Sequence, residues 1–176
     1  MRAVTAAESL RHIYRGDSVE MHETIKTTFE TIALAKVSTS AFEARSMRIL
    51  DESDSVTMNR ERLLFEAKRE ALSLVGRAYS APLPKTDIVA PGASVLATLK
   101  LGIYLMHEGE FISGHDVKVA SHVARVLTGG DVASGTPISE DYLLDLEREA
   151  FLSLCGEPKT AERIGYTLKS GKPLRN

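Results

Sequence analysis

Residues 93–127 read ASVLATLKLGIYLMHEGEFISGHDVKVASHVARVL, and this stretch decides the fold. Leu96, Leu99, Ile103 and Met106 recur at three- and four-residue steps in its first half, and Val117, Ala120, Ala124 and Leu127 do so in its second. That spacing puts each set on one face of an α-helix. Gly109 to Ile112 breaks the pattern between them, so the stretch predicts an antiparallel helical pair, 93–108 and 113–127.

The same period runs outward in both directions. Upstream, Leu64, Ala67, Ala71, Leu74 and Val75 predict a helix over 59–77 capped by Asn59, and Ile25, Phe29, Ile32 and Ala33 predict one over 18–36 capped by Ser18. Ser40 is placed to cap a short helix over 41–47, residues 50–57 are too polar to sustain an apolar face, and 3–15 reads as a short first helix. Downstream, Gly129 and Gly130 stop the second helix of the pair, and Gly135, Thr136 and Pro137 make a turn. Ser139 then caps a helix to 154 that buries Leu143, Leu146, Ala150 and Leu154, and Gly156 and Pro158 separate it from a last helix over 159–169.

Pro82, Pro84, Pro91 and Gly92 mark 81–92 as a linker between an N-terminal helical half, 1–80, and a C-terminal helical half, 93–176, the two packing as one domain. The expected class is all-α, with seven or eight helices and no sheet.

Composition sets limits on function. The 176 residues are 43% hydrophobic and 26% charged, the balance of a folded water-soluble domain. Lys and Arg total 22 against 24 Asp and Glu, so no global field draws the chain to nucleic acid, and no helix reads as a basic recognition element. Apolar runs fall short of the roughly 20 residues a membrane helix needs. The single cysteine, Cys155, and the absence of a secretory leader pattern fit a cytoplasmic setting, with Cys155 expected to be a buried, inert thiol at a helix C-terminus.

No self-contained chemistry is legible. The one close glycine pair follows a helix, whereas a dinucleotide site needs its glycines after a strand, and Ser170-Gly171-Lys172 lacks the rest of a phosphate loop. The histidines, His12, His22, His107, His115 and His122, form no metal-binding pair, and a partly exposed structural role is expected of His115 and His122. The carboxylate pairs Glu108/Glu110, Asp141/Asp145 and Glu147/Glu149 read as solvated helix faces. The last twenty residues are locally basic through Lys159, Arg163, Lys169, Lys172 and Arg175.

Two segments carry a family resemblance. YLLDLEREAFLSLCGEPKT, residues 142–160, with GKPLRN, residues 171–176, resembles the C-terminal end of the fused 3-hydroxyacyl-CoA dehydrogenase/enoyl-CoA hydratases of bacterial fatty-acid β-oxidation. FETIALAKVSTSAFEAR, residues 29–45, looks like the point in a crotonase-fold hydratase where the catalytic core gives way to C-terminal helices. In that family the short helix begun at Ser40 is usually followed by glycine; here Arg48 stands in its place, and a non-glycine residue resists positive φ.

The resemblance implies the C-terminal helices of a hydratase module plus a helical extension. Both catalytic centres would lie N-terminal to Met1, so no catalytic or metal-binding residue is carried over, and NAD and acyl-CoA would be bound by the full-length parent. In that family the terminal helices cover the acyl-CoA site and pack between subunits, and a basic residue near the end reaches CoA phosphates. Lys169, Lys172 and Arg175 are the residues placed for that contact. The implied partners are the rest of the parent enzyme, a second copy and a CoA thioester. The alternative from a different class is a stand-alone helical module that binds a protein through an exposed apolar groove.

Overall fold

The computed structural model describes residues 18–176, so the helix expected over 3–15 lies outside the described residues. The fold is all-α. Among the described residues the helices are, in chain order, α1 (Ser18–Ala33), α2 (Ala41–Ser46), α3 (Leu63–Gly76), α4 (Gly92–Glu108), α5 (Gly114–Leu127), α6 (Glu140–Cys155) and α7 (Pro158–Ser170), with a 3₁₀ turn, Arg60–Arg62, ahead of α3.

The chain divides into two compact units, one made of 18–36 with 85–176 and the other of Val37–Pro84. The larger unit does not stop at the proline-rich stretch, because α1 buries Ile25 and Phe29 in one core with Val95, Leu96, Leu99, Ile103, Ile112, Ala120 and Ala124. Fully burying an Ile or Phe contributes roughly 1.5–3 kcal/mol, so this face ties α1 to α4 and α5. The helix α5 packs against both α1 and α4, α6 packs on α5, and α7 packs on α6.

A second, smaller core explains a feature the periodicity hides. Ile88–Val89 (β1) and Pro137–Ile138 (β2) form a two-stranded antiparallel ladder, Ile88 opposite Ile138 and Val89 opposite Pro137. The expectation of no sheet is corrected to this extent, and part of the stretch read as linker is strand. Ile88, Ala90 and Ile138 pack there with Leu143 and Leu146 of α6. Two residues per strand are too few to show alternation, and the turn residues around them mask the signal.

Glycine is required where the end of α5 meets this ladder. Gly92 has φ +76°, and a Cβ on it would lie 2.3 Å from the Ser134 amide nitrogen. Gly129, φ +84°, follows α5 and would drive a Cβ to 2.8 Å from that of Ala90.

In the smaller unit Ser40 caps α2 by accepting from the Glu43 amide, and Asn59 caps the 3₁₀ turn by accepting from the Glu61 amide, as the sequence indicated. Arg48 adopts φ +55°, so the position at which glycine was expected is left-handed. Its amide donates to the Arg45 carbonyl while the Ile49 amide donates to the Ala44 carbonyl, which is the Schellman pairing that closes a helix. Ala35, Ala78 and Glu110 close α1, α3 and α4 in the same left-handed conformation, none of them glycine. The apolar residues of α3 recur at helical spacing, yet α3 has no buried residue, and Ala44 is the sole buried residue of Val37–Pro84.

Candidate functional site

Pro158, with its fixed φ, opens α7 at a position where its missing amide costs nothing, and Gly171 at φ +67° ends it. Lys169 lies in the last turn; Lys172 and Arg175 follow in the tail. The Ser170 hydroxyl donates to the Tyr166 carbonyl at 2.8 Å and accepts from the Lys172 amide at 3.1 Å, which fixes how the tail leaves the helix. All three basic residues are exposed, and none forms a side-chain hydrogen bond or ion pair among the described residues. They are free cations, able to meet phosphate as point charges.

Arg163 is different. Its Nη1 donates to Asp116 Oδ1 at 2.7 Å, its Nε to Asn176 Oδ1 at 2.8 Å, and its other terminal nitrogen reaches Ser113 Oγ at 3.4 Å and the Asn176 carbonyl at 3.3 Å. Asn176 in turn donates to Glu162 at 2.7 Å. Arg163 therefore holds the tail and α7 to the start of α5 and is not available to a ligand.

Ser113 and Asp116 are themselves a reciprocal capping box: the Ser113 hydroxyl accepts from the Asp116 amide, and the Asp116 carboxylate accepts from the Ser113 amide at 2.9 Å. Burial pushes the Asp116 carboxyl up, but hydrogen bonds from the Ser113 amide and from Arg163, with the charge of Arg163, outweigh it and hold it below its ordinary value. The hydroxyl-x-x-acid spacing of Ser113 and Asp116 was a signal available in the sequence; the approach of Arg163 to both was not.

His115 stands beside this cap. The partial exposure expected of it is corrected: it is 3% exposed, with Nε2 3.0 Å from Thr160 Oγ1. Burial, then the charges of Arg163, Lys159 and Lys118, keep it neutral to lower pH, against an opposing pull from Glu157. Its place in the first turn of α5, at the positive end of the helix dipole, acts in the same sense. Glu157 accepts from Lys118 Nζ at 2.9 Å, a bond that lowers its own pKa. His122 is half-buried.

Cys155 is exposed, which corrects the expected buried thiol: α6 ends there, and its last turn has only Leu154 partly covered. The paired carboxylates Glu108, Glu110, Asp141, Asp145, Glu147 and Glu149 are all exposed, as expected of solvated faces, and Glu149 pairs with Arg125 at 3.3 Å. Among the described residues no group of three His, Cys, Asp or Glu side chains is arranged to hold a metal ion, and no helix is long and apolar enough to cross a membrane.

No family model matches the chain, and no solved structure matches it. Its sequence is similar to that of a probable 3-hydroxyacyl-CoA dehydrogenase of Bacillus subtilis (strain 168), 47% identical over 167 residues that make up 95% of this chain and 21% of that protein. The chain thus spans about one fifth of the length of the relative it matches, and what it resembles is that portion of a probable 3-hydroxyacyl-CoA dehydrogenase.

Proposed function

We propose that this chain is the C-terminal helical segment of a cytoplasmic 3-hydroxyacyl-CoA dehydrogenase of fatty-acid β-oxidation, fused to an enoyl-CoA hydratase, and that it completes the fold around the acyl-CoA site without catalysing either step itself. The observation that carries this reading is the 47% identity sustained over 95% of the chain. Oxidation of a 3-hydroxyacyl-CoA moves a hydride from C3 to NAD and a proton from the hydroxyl to a base. Hydration adds water across the enoyl double bond with an acid/base pair. Both sets of groups belong, in this reading, to the remaining four fifths of the parent enzyme.

The free cations Lys169, Lys172 and Arg175 are the residues that would meet CoA phosphates, and oligomer contacts of the parent would draw on its exposed apolar faces. Leu64, Leu72 and Val75 of α3 are 83%, 61% and 75% exposed, which suits a segment covered by other parts of a larger protein.

The test is the size of the native protein in source-cell lysate, detected with an antibody raised against this segment. A band several times heavier than 19.2 kDa supports the reading; a band at that mass overturns it in favour of a stand-alone helical module.

A further inference from the structure

The helix α7 is amphipathic, yet it is not held to the molecule by its apolar side. None of its residues is buried, and Ile164 and Leu168 are 46% and 82% exposed. What faces α5 is polar: Thr160 against His115, Arg163 against Asp116 and Ser113, and Glu157 against Lys118. A contact made of hydrogen bonds and ion pairs, with little apolar burial beneath it, is stable only while each partner keeps its protonation state.

We propose that α7 and the tail, residues 158–176, form a strap released by protons, which detaches from α5 on mild acidification while the core of α1, α4 and α5 stays folded. His115 is the trigger. Protonating it in place would set a buried cation in the first turn of α5, among Arg163, Lys159 and Lys118, with Glu157 already bound to Lys118 and Asp116 already bound to Arg163.

The other elements packed on α5 offer no ready counter-charge. From α4 and its turn come His107, which is tied to the Ile112 carbonyl, and the exposed Glu108 and Glu110. The helix α1 carries His22, Glu23, Lys26 and Glu30, the last paired with Lys36. On α5 itself His122 is half-buried and Arg125 is bound to Asp131 and Glu149, while α6 carries Glu140, the exposed Asp141 and Glu147, and the Asp145–Arg148 pair. Along α7 and its tail, Glu162 accepts from Asn176, and Lys169, Lys172 and Arg175 are further cations.

Detachment returns the imidazole to water and to its ordinary affinity for a proton, so protons favour the released state. Because His115 takes up its proton less readily when docked, docking is complete above the ordinary histidine pKa of about 6.5 and weakens as pH falls below it. Asp116 and Glu157, both held below their ordinary values, add their losses only in the more acidic range below about pH 4.

The experiment is amide hydrogen exchange on the full chain at about pH 7.5 and about pH 5.5, corrected for the intrinsic exchange rate at each pH. Protection of 158–170 is expected to fall on the order of tenfold, the weakening supplied by working about one pH unit below the free histidine pKa of about 6.5 when only the released state takes up the proton, while that of 92–127 is unchanged. In His115→Gln the fall should vanish over this range. Thr160→Val, which leaves the histidine in place and removes its partner, should lower α7 protection already at neutral pH. The proposal is overturned if α7 and α4 lose protection together, if His115→Gln keeps the pH dependence of the parent chain, or if Thr160→Val leaves α7 as protected as before.

Discussion

Arg163 and Asp116, 47 residues apart in sequence, are joined at 2.7 Å with side chains only 20% and 19% exposed. At that burial a charge-assisted hydrogen bond contributes more than a surface ion pair, because water competes less for either group. Arg163→Ala should weaken the docking of α7 by about 1–3 kcal/mol, read as lost exchange protection over 158–170. Asp116 is held below its ordinary pKa, so its contribution is full above about pH 4 and lost as pH falls through the lowered value. Asp116→Asn should remove that acidic step and leave any step near pH 6 in place.

Arg48 holds a left-handed conformation that costs an L-residue roughly 1–2 kcal/mol and costs glycine almost nothing. Its side chain is exposed and makes no hydrogen bond among the described residues. Arg48→Gly should therefore raise the stability of Val37–Pro84 by about 0.5–1 kcal/mol after the added freedom of the unfolded chain is counted. Arg48→Val, β-branched at a positive φ, should lower it. Exchange protection of α2 reads both directions.

Gly92 lies where α4 leaves the ladder, with the Ser134 amide in the space a side chain would need. Gly92→Ala combines a positive φ with a 2.3 Å overlap against backbone, which cannot rotate away. A loss of about 2–4 kcal/mol is expected, visible as a lower urea midpoint with α4 and β1 exposed first.

Pure chain supplied with NAD and a short 3-hydroxyacyl-CoA, or with an enoyl-CoA, should show no turnover above buffer; measurable turnover would overturn the proposed division of labour. CoA itself should raise the melting temperature modestly, with an effect that declines with salt, since the contact proposed is between phosphate and exposed cations. Reversing Lys169, Lys172 and Arg175 to Glu together should abolish the shift. Retention of the shift in that variant would place any CoA site elsewhere.

The helices were legible because their periodicity needs only local sequence. Leu96, Leu99 and Ile103 are buried where the spacing put them, as are Ala120, Ala124, Leu143, Leu146 and Ala150. Helix ends were harder. Four of them use a left-handed Ala, Arg or Glu where sequence reading looks for glycine, so α1 was extended to Lys36 although Ala35 has already turned the chain. Periodicity also cannot tell a face that is covered from one that is bare: α3 has the regular apolar spacing of a helix and no buried residue.

The candidate site divides the same way. Lys169, Lys172 and Arg175 are as exposed as a basic tail suggests, while the roles of His115, Thr160 and Arg163 depend on partners 45 and 47 residues distant. Nothing local in the chain distinguishes Arg163 from its basic neighbours.

The core shared by α1, α4 and α5 has a consequence for synthesis on the ribosome. Phe29 emerges long before Ala124, which completes its pocket, and at roughly 5–20 residues per second the interval is on the order of 5–20 s. Until Val95 emerges the nascent chain presents Ile25 and Phe29 without the α4 and α5 residues of their core, and the residues made in between, Val37–Pro84, bury only Ala44. Order in this core therefore waits for α4 and α5, and Ile25 and Phe29 are the part of it that would need shielding from aggregation until those helices emerge.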